Sequence, residues 1–205
     1  MNQPVRYQLG LPKTQLGAAA ELYDAAFGQK FALAVPHRER RLALLKASFV
    51  PEYAICALVG EELLGVAGLH AAEGSLTGGV DMNGLIRELG FFAALRAAGV
   101  FALYERKPAR GELLMDGLAV RPDMRGQGVG SGLLSRVTDY ARQRGYGRVR
   151  LEVIDTNGGA QRLYERRGFS QVRRESFPYL KWLLGFSAVT TMHFAVEPSA
   201  RASST

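Results

Sequence analysis

Apolar residues recur along this chain first with a period of two, then with a helical period, then as paired apolar runs. Val5, Tyr7 and Leu9 alternate with polar neighbours, which predicts a first strand. Leu16, Ala19, Leu22, Tyr23, Ala26 and Phe27 form the apolar side of a helix that Thr14 is placed to cap and Gly28 to end. Pro36 opens a second helical stretch. Its apolar side carries Leu42, Leu45 and Phe49, and the polar run His37–Arg41 is expected to be a solvated face. Two apolar runs, Glu52–Val59 and Leu63–Ala71, flank Gly60-Glu61-Glu62 and predict a β-hairpin. His70, near the end of the second run, reads as structural ahead of any proton-handling role.

The next segment, residues 72–111, is the least regular. Gly74–Gly84 has loop composition, and Gly84–Lys107 predicts a helix with Leu85, Ile86, Leu89, Phe92 and Leu95 on one face. Phe91–Tyr104 is nearly all apolar apart from Arg96, yet falls short of the ~20 residues a membrane span needs. It reads as an inserted helix that covers a groove or forms a subunit contact in a homodimer, with Phe91 and Phe92 in the core. After it, an apolar strand ends at Val120, and Gly132–Arg144 predicts an amphipathic helix stopped by Gly145. Arg148–Ile154 alternates as a strand, so strand, helix and strand imply a parallel pair with a right-handed crossover. Asn157 begins a short helix with Ala160, Leu163 and Tyr164, closed by Gly168-Phe169. Gln171–Arg174 and Val189–Val196 are expected as closing strands, and the polar residues 197–205 as a disordered tail. The order of elements describes one α/β domain over residues 1–196, with a partly helical insertion at about 72–111.

Composition sharpens this. The 205 residues carry 47% hydrophobic side chains, ordinary for a globular core, and a single cysteine, Cys56. Cys56 lies in an apolar strand run and reads as a buried thiol; no internal disulfide is possible. The first residues lack the charged-then-apolar pattern of a signal peptide, so a reducing, cytoplasmic setting is expected. The formal charge of +7 is not evenly spread: Arg121–Arg174 holds 12 arginines, 5 acidic residues and no lysine. Nucleic acid is the usual partner of such a basic segment. This one shows no aromatic interleaving and surrounds a glycine loop, so a phosphorylated cofactor ranks above nucleic acid or a free nucleotide.

That loop is Arg125-Gly126-Gln127-Gly128-Val129-Gly130-Ser131, entered from the strand through Arg121-Pro122-Asp123-Met124. Glycines at the head of a helix bring unpaired amides and a positive dipole end to an anion. A Walker loop would end in Gly-Lys-Ser/Thr, and no lysine stands here. A dinucleotide loop needs a third glycine or alanine where Ser131 stands, and Asp155 after the next strand gives it only weak support. The run Arg125-x-x-Gly128-x-Gly130, after a strand ending Leu118-Ala119-Val120-x-Pro122, resembles the pyrophosphate loop of the GCN5-related N-acetyltransferases (GNAT). Asn157-x-x-Ala160-x-x-Leu163-Tyr164-Glu165-x-x-Gly168-Phe169 is similar to the second signature of that family. Two signatures at this spacing are more specific than one glycine loop, and the match covers roughly residues 112–177.

The resemblance implies a GNAT-like mixed sheet of six or seven strands, helices on both faces, and central parallel strands that splay apart around acetyl-CoA. Leu118, Ala119 and Val120 would bond the pantetheine arm through their backbone. Arg125, Gly126, Gln127, Gly128, Val129, Gly130 and Ser131 would hold the pyrophosphate. Asn157 and Tyr164 would face the far arm and the sulfur. The implied reaction is direct attack of a primary amine on the thioester, with no metal and no enzyme nucleophile. Tyr164 is the candidate acid toward the leaving sulfur. Glu112 and Asp116, four apart on one strand, fall on one face with Leu114 and Leu118 and are candidates for the base. Asp116 is also placed to bind the substrate ammonium; a solvated strand start is an equal reading of Glu112. A non-catalytic acyl-CoA sensor would use the same loop. The acceptor, a small molecule or a peptide amine, is not legible.

Overall fold

The computed structural model describes residues 4–104, 106–181 and 185–197; the expected tail lies almost wholly outside the described residues. Seven strands form one sheet in the order β1-β2-β3-β4-β5-β7-β6. They are β1 (Arg6–Leu9), β2 (Ala54–Val59), β3 (Glu62–His70), β4 (Glu112–Val120), β5 (Arg148–Ile154), β6 (Ser170–Ser176) and β7 (Ala188–Ala195). Only β4 and β5 run parallel; every other neighbouring pair is antiparallel. The two closing strands do not continue outward in chain order. β7 inserts beside β5 and leaves β6 as the exposed edge.

Among the described residues six α-helices cover both faces: α1 (Leu16–Ala32), α2 (Arg38–Ser48), α3 (Met82–Leu89), α4 (Phe91–Tyr104), α5 (Val129–Gln143) and α6 (Gly158–Arg166). The main core lies on the α5–α6 face, where Leu133, Leu134, Val137 and Tyr164 meet Leu69, Leu113, Met115, Val149 and Leu151. On the other face Ala19, Ala20 and Tyr23 of α1 and Leu45 of α2 meet Cys56, Leu58, Leu63 and Val66. A third cluster joins Leu85, Leu89, Ala94 and Ala97 of α3 and α4 to Val35 and Leu44, so the insertion packs beside α2. Cys56 is fully buried, as its apolar context implies, and burial pushes its thiol up to about 12.

Four expectations are corrected. α1 does not stop at Gly28 but runs on to Ala32. The Asp24 carboxylate lies back over Gly28, where a Cβ would come within 2.7 Å of its Oδ1. The run His37–Arg41 is not wholly a solvated face. Arg41 is buried, ion-paired to Asp24 Oδ1 at 2.5 Å and donating to the carbonyls of Val35 (2.9 Å) and Pro36 (3.0 Å). The expected single helix over 84–107 is two, because Gly90 takes a positive φ of 81° and ends α3. That break turns Phe91 and Phe92 outward, 60% and 84% exposed, instead of into the core. Finally, Thr14 lies in a short 3₁₀ turn ahead of α1 and gives it no side-chain cap.

β3 and β4 meet at a glycine pair, Gly68 opposite Gly117. A Cβ on Gly68 would lie 2.2 Å from the Tyr23 hydroxyl, and one on Gly117 would lie 2.8 Å from Phe27. The missing side chains leave the dent into which α1 sets its aromatic face. Tyr23 is held there by edge-on contacts with Phe27 and Phe49, at 5.2 and 5.4 Å between centroids. Gly68→Ala is therefore expected to cost about 1–3 kcal/mol through overpacking. Gly99→Ala, in α4 with nothing within 4 Å of its Cβ, should gain up to about 1 kcal/mol. Urea titration of the two variants checks the contrast.

Candidate active site

β4 and β5 pair at only three registers, Glu112–Arg148, Leu113–Val149 and Leu114–Arg150, and then part. β4 continues to Val120 and β5 to Ile154 without pairing to each other, so the central strands are splayed. Beyond the last pair β4 bulges. Gly68 stands opposite Gly117 and Leu69 opposite Met115, which leaves Asp116 as the extra residue. A bulge of this kind shifts the side-chain alternation by one. Leu113 and Met115 face the α5–α6 core, and after the bulge so do Leu118 and Val120, while Ala119 faces α1. Leu118 is thus not on the face of Glu112 and Asp116, as strict alternation predicts.

The glycine loop leads from β4 into α5. Pro122–Met124 forms a 3₁₀ turn, and Arg121 there pairs with Asp123 at 2.7 Å and with Glu62. Gly126 and Gly128 both take positive φ, 78° and 86°, which an L side chain rarely adopts. Gly128 is the N-cap of α5 and supplies no capping side chain, so the helix starts at Val129, three residues before the expected Gly132. The amides of Val129, Gly130 and Ser131 belong to the first turn, where no carbonyl of the helix reaches them. No acidic residue stands in that turn. Gly130 lies against Leu163 of α6, 3.1 Å from where its Cβ would be, and Leu118 and Val120 are its further neighbours. The loop, the free end of β4 and α6 therefore border one gap. Amides and dipole there suit a pyrophosphate.

Tyr164 is the buried residue of α6, 6% exposed and packed near Phe169 at 6.0 Å. Burial pushes its phenol up to about 12. Asn157 caps α6, its Oδ1 accepting from the Ala160 amide at 3.2 Å. That cap by itself accounts for an asparagine here. Asp155 does not point to a ribose. It accepts from the Ser187 hydroxyl at 2.5 Å, and that bond first, against burial, holds its carboxyl below the usual range.

The two candidate carboxylates part company. Glu112 is buried at the paired end of β4. Arg148 Nε donates to its Oε2 at 2.7 Å, Arg150 Nε lies 3.1 Å from its Oε1, and the Ala109 amide donates to Oε1 at 3.2 Å. Burial alone would push this carboxyl up. The Ala109 amide, the Arg148 hydrogen bond and the charges of Arg150 and Arg148 outweigh it, and the net shift is downward. Glu112 is thus an ion-pair clamp between β4 and β5 and not the solvated strand start that is one of its two readings from sequence; a carboxylate held ionised among cations is poorly suited to take a proton. Asp116 is exposed and accepts from the Thr77 hydroxyl at 3.1 Å. It opens onto a cavity of about 510 Å³ on the α1–α2 face, whose lining includes Tyr23, Phe27, His70 and Thr77. His70, set aside on sequence, shares this cavity; the weak signal was its place at a strand end. Several arginines of the basic segment are spent in ion pairs, Arg142 with Asp139 and Arg148 and Arg150 with Glu112.

The sequence profile of the Acetyltransferase (GNAT) family matches residues 18–169, and the chain belongs to that family. It is similar to a probable N-acetyltransferase, camello, of Xenopus tropicalis, 36% identical over 85 residues, which are 42% of this chain and 39% of that protein. A streptothricin acetyltransferase of Streptomyces lavendulae is 40% identical over 58 residues, 28% of this chain and 31% of that one. The ribosomal protein bS18-alanine N-acetyltransferase of Escherichia coli is 38% identical over 69 residues, 33% and 47% respectively. The matches span less than half the length of these relatives. Among solved structures, one acetyltransferase aligns over 94% of this chain and 100% of its own, with a TM-score of 0.63 and 20% identity. A putative acetyltransferase of Salmonella typhimurium with its cofactor acetyl-CoA covers 98% of this chain and 99% of its own, with a TM-score of 0.60 and 18% identity. At these identities the likeness establishes the fold: a mixed seven-stranded sheet with helices on both faces. Among the described residues no helix is long and apolar enough to cross a membrane.

The clamp gives a stability prediction. Glu112→Gln should lower the unfolding free energy by about 1–3 kcal/mol at neutral pH, the range for a hydrogen bond to a charged group. Because the folded carboxyl titrates below its unfolded value, this contribution is present above the unfolded pKa and fades as pH falls through the lowered one. Urea midpoints of the two proteins should converge in acid, and a difference that persisted there would contradict the clamp.

Proposed function

We propose that this protein transfers an acetyl group from acetyl-CoA to a primary amine. The observation that carries the reading is the gap opened when β4 and β5 stop pairing at Leu114 and Arg150. The glycine loop and α6 flank that gap on one face of the sheet, and the Asp116 cavity adjoins the bulge on the other. Acetyl-CoA supplies an activated thioester. The chain's task is to hold it and bring the amine to it. Amides of Arg125 to Ser131 take the pyrophosphate, with Gly126, Gln127, Gly128, Val129 and Gly130 between them. The side of the Leu118, Ala119 and Val120 backbone that faces away from β3, where β5 has left the ladder, takes the pantetheine arm. Asn157 caps α6 and so positions Tyr164.

Asp116 binds the acceptor ammonium and accepts its proton directly or through a water. The amine nitrogen then bonds to the acetyl carbon, the carbon–sulfur bond breaks, Tyr164 gives the departing sulfur its proton, and the second proton that the acylated nitrogen sheds returns to the Tyr164 oxygen through water. A phenol whose burial pushes it up to about 12 is fully protonated at neutral pH, which suits an acid. The same reading places the chain in a reducing compartment, the cytoplasm, with Cys56 as a buried thiol. A second copy of the chain would bury the exposed Phe91, Phe92 and Leu95.

Acetyl-CoA should raise the melting temperature where NAD and an oligonucleotide do not. With an amine panel, free thiol should appear, and Tyr164→Phe should lower kcat by about 10²-fold or more while keeping the acetyl-CoA stabilisation. Thiol release unchanged in Tyr164→Phe removes the acid assignment. Stabilisation without thiol from any amine makes the protein a sensor of acyl-CoA. The profile of kcat/KM should rise with pH as the ammonium loses its proton, with no falling limb near neutrality from Tyr164.

A further inference from the structure

Resting on the reading of Asp116 as the ammonium site, we propose that the acceptor is a small monoamine with an uncharged aromatic or aliphatic body, and that α4 sets its length. The cavity that receives Asp116 has a volume of about 510 Å³, within the span of about 300–1,000 Å³ typical of small-ligand sites. Its walls come from α1, α2, the segment after β3, and α4. Phe27, Phe31, Leu45, Val80, Leu85 and Phe101 give them an apolar side, and Ser48, Ser75 and Thr77 add hydroxyls. Phe31 of α1 and Phe101 of α4 meet edge to face at 6.3 Å and join the two helices at this wall. A ring or alkyl chain packs against such edges with gain, whereas a peptide backbone would lose hydrogen bonds that these side chains cannot replace.

Charge narrows the class further. Among the described lining residues Asp116 is the one carboxylate. The remaining ionisable groups of the lining are His70, Arg41 and Arg106, with the Tyr23 hydroxyl beneath. Arg41 is paired with Asp24, and Arg106 with Glu152 at 3.3 Å. One ammonium is matched by Asp116; a second, as in a polyamine or a free lysine, would meet no further carboxylate among the described lining residues, only hydroxyls, cations and apolar groups. Tyr23 is buried, 2% exposed, and its hydroxyl lies beside the Gly68 backbone without a hydrogen bond of good geometry. Burial first, then the Asp116 charge, raises its pKa well above the usual value, so it is a neutral donor beside that carboxylate. An ammonium bound at Asp116 would donate to the oxygen of this hydroxyl, and a water there would accept from it.

The test measures binding separately from turnover. With CoA present, calorimetric titration should show 2-phenylethylamine and tryptamine binding at least tenfold more tightly than spermidine, lysine amide or an alanine-initiated peptide. Kinetic preference in thiol release should follow the same order. Phe101→Ala should weaken 2-phenylethylamine by about tenfold or more and leave ethylamine unchanged, as loss of apolar contact in a pocket predicts. Should that variant fail to fold, Ala102→Phe, at an exposed α4 position lining the cavity, narrows it and should favour 2-phenylethylamine over tryptamine. Tighter binding of spermidine, lysine amide or peptide overturns the proposal, as does failure of every amine to bind. Binding in the expected order without thiol release leaves this inference standing and sinks the acetyltransferase reading instead.

Discussion

The parting of two parallel strands is the constraint on which the rest of this structure depends. Parallel strands that share a sheet normally keep pairing along their length, because an unpaired backbone amide or carbonyl away from water is costly. Here β4 and β5 pair at three registers and then diverge. The paired end is locked by Glu112, which bridges Arg148 and Arg150 across the two strands under near-complete burial. At the free end β4 stays paired to β3, and only its backbone groups that point away from β3 lose the partners β5 would have supplied. A strongly held apex and an open mouth are two sides of one arrangement.

The bulge at Asp116 turns this opening into a two-sided site. By adding one residue to β4 opposite β3, it reverses which side chains face which layer. Leu118 and Val120 pass to the α5–α6 face, beside Gly130 and Leu163, while Asp116 stays with α1 and Thr77. The glycine loop and the Asp116 carboxylate therefore lie on opposite faces of a single sheet, with the gap between them. Without the bulge Leu118 and Val120 would share the face of Asp116, and the small Gly117 and Ala119 would meet the α5–α6 layer in their place.

The glycines fall into two physical groups. Gly126 and Gly128 are needed for backbone conformation, at positive φ, with open space around the missing Cβ. Gly68 and Gly117 are needed for closeness, with aromatic atoms of Tyr23 and Phe27 in the space a Cβ would take. The first group shapes the loop before α5, and the second seats α1 so that its aromatic side forms the floor and wall of the Asp116 cavity. That seating ties the N-terminal helices to the central strands.

Local chemistry was enough to determine much of this chain. Alternation fixes strands such as Arg148–Ile154, the glycines of 126–130 with a following amphipathic run mark the anion loop, and two signatures at set spacing carry the family. What the sequence could not decide were matters of contact between distant residues. Glu112 and Asp116 look equivalent at a spacing of four, and only the positions of Arg148, Arg150 and Thr77 separate a clamp from a site. Arg41 looks like a surface charge until Asp24 reaches it from α1. Phe91 and Phe92 look like core until Gly90 breaks the helix. A helical or strand period records which side of an element is apolar. It does not record a one-residue bulge, a break in phase or the partner of a buried charge, because those arise only when separate segments are packed together.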